Sequence, residues 1–227
     1  MDPERLEDEI NNLLNSSSDS ENESVCIKEY IKGISNKHEK LLKVVHINAQ
    51  SLNDREHFIE FCYAFCDSGI DIIAVSETFY TDSSQINISQ YNVFNANRQG
   101  RRCGGVAIYV KECIPARLIC TSNSDGREPE FVFVEIMCQS EKILCVCMYR
   151  PPDVGHMDVF ISELYNFLPE YKYVILCGAV NARFGSRSAE TAIVDDMLQM
   201  CNLNNIPYKS TYYTCLLYTS PSPRDTR

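Results

Sequence analysis

Polar side chains that could take part in chemistry follow four apolar runs of the sequence. They are Asn48 after "KVVHI", Glu77 after "IIAVS", Tyr149 after "LCVCM" and Asn181 after "ILCGAV". A carboxylate binds hard cations, and amide or phenol donors stabilise anionic oxygens. A single strand-end asparagine is more often a turn residue, and a single glutamate there is usually solvated. The prediction of one shared site therefore rests on the four residues together.

Eight short runs rich in valine, isoleucine and aromatic residues predict strands. They cover residues 41–49, 71–78, 91–97, 104–111, 116–122, 130–138, 142–150 and 173–180. Three stretches, 54–68, 157–168 and 193–203, carry apolar residues at helical spacing and predict amphipathic helices. Helices interleaved with this many strands indicate two packed sheets with helices on their outer faces.

The two ends of the chain differ in composition from its middle. Residues 1–40 are acidic, polar and poor in aromatics, which predicts a disordered tail that could hold a short helix over 4–14. Residues 41–214 are predicted to form one domain. Residues 215–227, "CLLYTSPSPRDTR", show no periodicity, and Pro-Ser-Pro continues neither a strand nor a helix, so we predict an unstructured tail.

Charge and cysteine usage exclude some classes of protein. The net charge of -10 argues against a nonspecific nucleic-acid binder, although much of the excess acid lies in the first forty residues. The twelve cysteines stand singly inside apolar runs, which predicts buried free thiols in a reducing compartment. The start of the chain does not read as a signal peptide, and no apolar run approaches the length of a bilayer span.

The segments "HINAQSL", "AVSETFY", "RRCGGVAIYV", "CMYRPP" and "ILCGAVNA" occur in an order that resembles the endonuclease/exonuclease/phosphatase superfamily. The resemblance covers about residues 42–213. It is closest to the apurinic-type endonuclease domain of jockey-like non-LTR retrotransposons, because "GGVAIYV" followed by "YRPP" is distinctive of that branch. It implies a deoxyribonuclease-like four-layer α/β sandwich, which we expect to lack its last strands.

The resemblance also implies roles for individual residues in metal-dependent attack of water on a phosphodiester. Glu77 matches the metal-binding glutamate, and Asn48 the asparagine that helps to set up the metal and phosphate region. Tyr149 matches the active-site tyrosine, whose phenol donates to a phosphate oxygen, and Asn181 the orienting donor of the "GDxN" motif.

Basic side chains near these segments are candidates for contacts with the DNA backbone. Part of this set lies in the loop 98–102, for which a solvated loop is the alternative interpretation. The candidates are Arg101, Arg102, Arg150 and Arg183.

Two departures from the family pattern predict that this copy is inactive. Ala179 stands where the family has the aspartate that handles the proton of the water or the leaving group, and a methyl group accepts no proton. After "YKSTYYT" nothing resembles the family's last aspartate and its Ser-Asp-His motif. None of the four histidines replaces that histidine by its position in the sequence.

The function that the resemblance implies is the nicking of target DNA, which exposes a primer for reverse transcription. The expected cofactor is Mg²⁺, with Mn²⁺ as a substitute, and the expected partners are duplex DNA and a downstream reverse transcriptase of the same polyprotein. Two alternatives stay open: a catalytically dead fragment that at most binds nucleic acid, and a phosphodiesterase of the same fold acting on a lipid or inositol phosphate. We expect a monomer without a membrane partner, cytoplasmic and nuclear for the intact element.

Residues 215–225 back-translate into an oligonucleotide that resembles the transposase-end adapter of sequencing libraries. The match begins where the family resemblance stops. We therefore expect these residues to be adapter read-through and the gene to continue past Thr214.

Overall fold

The computed structural model describes residues 21–37, 41–98, 100, 103–123, 125–152, 154–182 and 188–206, with side chains of the first helix from Lys28 to Asn36. The four helices of this part are α1 (Glu21–Lys37), α2 (Arg55–Phe65), α3 (Asp158–Phe167) and α4 (Ala189–Met200), and a 3-10 turn spans Leu168–Glu170. Its eight strands are β1 (Val44–Asn48), β2 (Ile72–Ser76), β3 (Tyr91–Ala96), β4 (Val106–Lys111), β5 (Ala116–Thr121), β6 (Glu130–Cys138), β7 (Glu141–Tyr149) and β8 (Tyr173–Ala179).

All eight predicted strands are confirmed, and each of the three predicted amphipathic stretches overlaps a helix. Capping residues set two helix starts. The side chain of Asp54 accepts hydrogen bonds from the backbone nitrogens of Glu56 and His57 at the start of α2. The Ser188 hydroxyl accepts from the Thr191 nitrogen, so α4 begins at Ala189, four residues before the predicted start.

The strands form two four-stranded mixed sheets in the described part of the chain. The first has the order β1-β2-β4-β3, in which β1 and β2 are parallel and the other pairs antiparallel. The second has the order β5-β6-β7-β8, in which only β7 and β8 are parallel. Each sheet therefore contains one parallel pair whose strands end at the same edge.

Three apolar clusters fill the spaces between the layers. Along each central strand, successive side chains point alternately into the clusters on its two faces. Ile73 and Val75 of β2 pack with α2, while Ile72 and Ala74 face the second sheet. In β6, Phe133 packs with α3 and α4, while its neighbours face the first sheet. The order helix, sheet, sheet, helix is the predicted four-layer α/β sandwich, and burial on both faces explains why these strands are apolar throughout.

Helix α1 corrects the prediction that residues 1–40 are a disordered tail, because Glu21–Lys37 is helical and one face of it packs on the domain. Ile31 packs against the cluster around α2, and Ser35 is 1% exposed. The Lys28 ammonium lies 4.1 Å from the ring centroid of Tyr63. The prediction was based on the average composition of residues 1–40. A helix within such a segment can still be stable when one of its faces packs against the domain. The predicted short helix over 4–14 lies outside the described residues.

Gly69 receives Ser35 so closely that we expect Gly69→Ala to loosen α1. A Cβ at this position would overlap the Ser35 hydroxyl, and the φ of 75° is left-handed. The expected loss is about 1–3 kcal/mol of unfolding free energy, measured by urea denaturation, together with faster proteolysis of α1. Gly33→Ala is the matched control, because nothing lies within 4 Å of its Cβ and alanine favours a helix. Equal stability of the two variants would contradict the docking of α1 through Ser35.

The ten cysteines with described side chains are all free, but the prediction that they are buried holds for four of them, while four are partly buried and two are exposed. Cys145 and Cys147 lie between the sheets and are buried, whereas Cys103 and Cys113 lie in loops and are exposed. Within the same part of the chain, no helix has both the length and the apolarity that crossing a membrane requires.

Candidate functional site

Asn48 and Glu77 meet at the carboxyl ends of the parallel strands β1 and β2. The Asn48 amide nitrogen donates to Glu77 Oε1 over 2.9 Å, and Glu77 is only 5% exposed. Glu77 has a φ of 56°, which is uncommon for a residue with a side chain. The backbone oxygens of Glu77 and Thr78 accept hydrogen bonds from Ser51 and Leu52 at 2.9 and 2.8 Å, so the two loops hold each other in place.

Tyr149 and Ala179 are register partners at the carboxyl ends of the parallel strands β7 and β8. Tyr149 is 3% exposed, and both residues belong to the cluster between the sheets. The Arg150 nitrogen donates to the Ala179 oxygen over 2.9 Å, which extends the ladder by one bond. A methyl group thus stands beside Tyr149 at the place where the sequence resemblance expects an acid.

The two strand pairs lie at the same end of the sandwich, because one chain of hydrogen bonds joins them. Thr78, which follows Glu77, donates its backbone nitrogen to the Gly105 oxygen over 3.2 Å. Gly105 in turn donates its backbone nitrogen to a carboxylate oxygen of Glu130, the register partner of Tyr149. The structure therefore places Glu77 and Tyr149 at the same end of the sandwich. That they form one functional site stays a prediction.

Arg150 is fully buried, so the prediction that it contacts DNA is wrong. Its guanidinium donates to the backbone oxygens of Val180, Val154 and Asn181 over 2.7, 2.6 and 2.8 Å. Burial lowers the pKa of this guanidinium, which nevertheless stays charged at neutral pH. Backbone carbonyls of the loops after β7 and β8 take the place of hydrating water around the guanidinium. Because it bonds to both loops, Arg150 holds them in position.

Asn181 is exposed two residues after Ala179, with a φ of 47°. Its amide nitrogen donates to the Arg150 backbone oxygen over 2.7 Å, so the side chain is held at the rim by the same loop. Its role as an orienting donor stays a prediction. Arg101, Arg102 and Arg183, the other predicted contacts to DNA, lie outside the described residues.

A buried ion pair between Arg98 and Glu130 lies next to the site, and the sequence analysis missed it. Their side chains are 11% and 1% exposed, so the alternative of a solvated loop is wrong for Arg98. The Arg98 guanidinium carbon lies 5.7 Å from the ring centroid of Tyr149. The available signal was an acid at the start of the apolar strand "EFVFVEIMC", on the face shared with Val132 and Val134.

The environment of Glu130 acts on its protonation in both directions. Burial raises the pKa of its carboxyl group, and the hydrogen bonds from Gly105 and Arg98 lower it. The charge of Glu77 raises this pKa further, which agrees with the two carboxylates lying in one site.

His46 lies on β1 two residues before Asn48, and its ring nitrogen Nε2 is 3.1 Å from the Ser76 hydroxyl. Burial lowers its pKa to about 4. The imidazole is therefore neutral at neutral pH and adds no positive charge near Glu77.

The residues at this end fit a magnesium ion held by one carboxylate. Mg²⁺ is commonly bound through one or two carboxylates and keeps several water molecules. Glu77 supplies one carboxylate, whereas the Asn48 oxygen accepts from the Gln50 nitrogen over 3.3 Å, so Asn48 orients Glu77 through its nitrogen. In the described part of the chain no three acidic, histidine or cysteine side chains cluster as a metal-binding group, and Ala179 adds no ligand. The role of Asn48 as a second ligand stays a prediction.

No protein-family model and no curated protein matches the chain, whereas solved structures do. The endonuclease domain of TRAS1, a telomere-specific non-LTR retrotransposon, is 18% identical over 70% of this chain and 69% of that one, with a TM-score of 0.55. The AP endonuclease LMAP from Leishmania major is 14% identical over 70% of this chain and 66% of that one, with a TM-score of 0.51. The mannosyl-6-phosphatase Bt3783 of Bacteroides thetaiotaomicron is 12% identical over 69% and 71%, with a TM-score of 0.50.

The chain spans about two thirds of the length of these three solved structures. Sequence identities of 12–18% show a similarity of fold and no more. The observed fold agrees with the one that the resemblance of the sequence segments implies. The chain therefore has the α/β-sandwich fold of the endonuclease/exonuclease/phosphatase superfamily.

Proposed function

We propose that the chain is the endonuclease domain of a non-LTR retrotransposon polyprotein, in a copy whose phosphodiester-cleaving site has lost an acid. The observation that carries this proposal is the hydrogen bond from Asn48 to the buried Glu77 carboxylate, which is joined through Gly105 and Glu130 to Tyr149 at one end of the sandwich. An intact domain of this kind would nick target DNA and expose a primer for a reverse transcriptase of the same polyprotein.

Each side chain of the site has a part in the proposed chemistry. A bound Mg²⁺ would neutralise charge on the phosphoryl oxygens. Glu77 would hold the ion, and Asn48 fixes the Glu77 carboxylate by its hydrogen bond. Tyr149 donates its phenol to a phosphate oxygen, and Asn181 orients the phosphate. The residue at position 179 would have to accept a proton from the attacking water, and alanine cannot do so. The site can therefore bind metal and DNA without cleaving the phosphodiester.

The fold alone does not select the substrate. One of the similar structures is described as an endonuclease domain of a retrotransposon, and another as a mannosyl-6-phosphatase. The segments "GGVAIYV" and "YRPP" favour the retrotransposon branch over one acting on lipid or inositol phosphates. A monomer acting on nuclear DNA is part of the proposal.

Removal of the Glu77 charge is expected to weaken metal binding. In titrations of the full chain with Mn²⁺, followed by electron paramagnetic resonance, Glu77→Gln should bind Mn²⁺ at least about tenfold more weakly than the unchanged chain. Glu112→Gln is the matched control, because Glu112 is exposed beyond β4 at the opposite end of the first sheet. Unchanged Mn²⁺ affinity in Glu77→Gln would refute the proposed site.

The substrate class is tested with the same preparation. A short fluorescein-labelled DNA duplex in Mn²⁺ should bind with an affinity that falls as salt rises, because phosphate contacts release counterions. Binding to phosphatidylinositol phosphate vesicles and not to the duplex would overturn the retrotransposon assignment in favour of a lipid substrate.

A further inference from the structure

We propose that Glu130 is a positioning residue of this site, which holds the Glu77 loop with one carboxylate oxygen and the Tyr149 ring, through Arg98, with the other. The inference rests on the proposed function. It goes beyond the residues that the family resemblance assigns, because Glu130 lies outside all of the matched segments.

The first connection runs from Glu130 to the loop that carries Glu77. One Glu130 oxygen accepts the Gly105 backbone nitrogen. The Gly105 oxygen accepts from Thr78 over 3.2 Å, and the Gly104 oxygen from Phe79 over 2.8 Å. Thr78 and Phe79 directly follow Glu77, so a shift of the glycine pair moves the metal-binding carboxylate.

The contact between Glu130 and the Glu77 loop requires glycine at positions 104 and 105. Gly104 and Gly105 have φ values of 86° and 84°, which favour residues without a side chain. A Cβ at Gly105 would lie 2.6 Å from the Thr78 hydroxyl oxygen. Gly104 and Gly105 therefore pack closely between Glu130 and the Glu77 loop, so a displacement of Glu130 would displace that loop.

The second connection runs from Glu130 through Arg98 to Tyr149. The other Glu130 oxygen accepts the Arg98 Nε–H, and the guanidinium carbon lies 5.7 Å from the Tyr149 ring centroid. Gly104 and Gly126 leave the space that Arg98 occupies, since a Cβ at Gly126 would come within 2.9 Å of the guanidinium. Arg98 is therefore enclosed, and its contact with the ring depends on the carboxylate that neutralises it.

Glutamate suits this place because both of its oxygens accept hydrogen bonds and it carries the charge that Arg98 requires. Glutamine at this position would keep one acceptor, lose the charge and place an amide nitrogen against Arg98 or Gly105. With Glu130 only 1% exposed, water cannot replace the lost contact. The expected consequence is a displaced glycine pair and, through it, a displaced Glu77.

Glu135 provides the matched control on the same strand. It is 6% exposed and accepts from Arg117 over 2.7 and 3.0 Å and from Tyr171 over 2.9 Å. It lies five residues further along β6, away from the end that carries Tyr149. A purely structural ion pair is thus available for comparison at similar burial.

The test compares the Mn²⁺ affinity of the full chain with that of Glu130→Gln and Glu135→Gln, each corrected for its folded fraction from a thermal melt. Both variants are expected to melt earlier. Glu130→Gln should bind Mn²⁺ about tenfold more weakly, as outer-shell substitutions do, whereas Glu135→Gln should bind it unchanged. Equal Mn²⁺ affinity in the two variants would overturn the proposal.

Glu130→Asp is the second variant if Glu130→Gln does not fold. It keeps the charge beside Arg98 but shortens the reach to the Gly105 nitrogen, so a several-fold loss of Mn²⁺ affinity is expected. Unchanged affinity in a folded Glu130→Asp protein would overturn the role of the Gly105 contact.

Glu77→Gln separates this inference from the proposed function. Weaker Mn²⁺ binding in Glu77→Gln together with unchanged binding in Glu130→Gln refutes the positioning role alone. Unchanged binding in Glu77→Gln refutes the metal site itself, and the positioning role with it.

Discussion

Supercoiled plasmid incubated with the full chain and Mg²⁺ is expected to be nicked no faster than in a control without protein. The reason is Ala179, whose methyl group lies beside Tyr149 and cannot take the proton from an attacking water. General acid–base groups typically contribute about two to four orders of magnitude of rate. Conversion of supercoiled to open-circular plasmid, followed on agarose gels, measures this loss. Mg²⁺-dependent nicking that disappears in Glu77→Ala protein would show that the site is complete in another way.

Restoring the acid alone is not expected to rescue this activity. Residues that act as a unit in catalysis are strongly non-additive, and the sequence contains no match to the family's final histidine motif. Ala179→Asp protein should therefore nick plasmid at the background rate in the same assay. A large gain from this single substitution would show that the unmatched motif is dispensable.

Replacement of Arg150 by methionine is expected to cost at least about 1–3 kcal/mol of unfolding free energy. Methionine fills much of the same volume but leaves three backbone oxygens without their donor. The Val154 contact is buried, and a buried unpaired polar group costs about 1–3 kcal/mol. Urea denaturation measures the loss. The control is Arg127→Met, because Arg127 is 74% exposed and pairs with Asp125 at 3.4 Å, so a change within about 0.5 kcal/mol is expected.

The outcome of the Arg150 experiment also bears on what the arginine does. A loss similar to that of Arg127→Met would mean that the loops after β7 and β8 keep their positions without the guanidinium.

Local pattern was sufficient to predict the eight strands and the helices that correspond to α2, α3 and α4. Strands buried on both faces carry continuous apolar runs, such as Ile72–Ser76, and amphipathic helices carry a 3.6-residue repeat. Asn48 and Glu77 lie side by side because the parallel strands β1 and β2 end at one edge, whereas Glu77 and Tyr149 belong to different sheets and only the packing of those sheets brings them to one end of the sandwich. Ala179 could also be identified from the sequence, since it depends only on which residue type stands at one position.

The roles of the charged residues were decided by tertiary structure. Arg150 finds its acceptors about thirty residues away, at Val180 and Asn181, and Arg98 finds Glu130 at a similar distance along the chain. The sequence around Arg150 does not distinguish an arginine that contacts DNA from one that bonds to three buried or partly buried carbonyls.

Helix α1 was decided in the same way, because its stability depends on packing more than on its own residues. The sequence by itself therefore determined which segments are buried and which site residue is missing, as both follow from residue type and short-range period. Only the tertiary structure decided which charges are neutralised inside the protein, because a buried charge is stable only with partners that the chain brings from a distance.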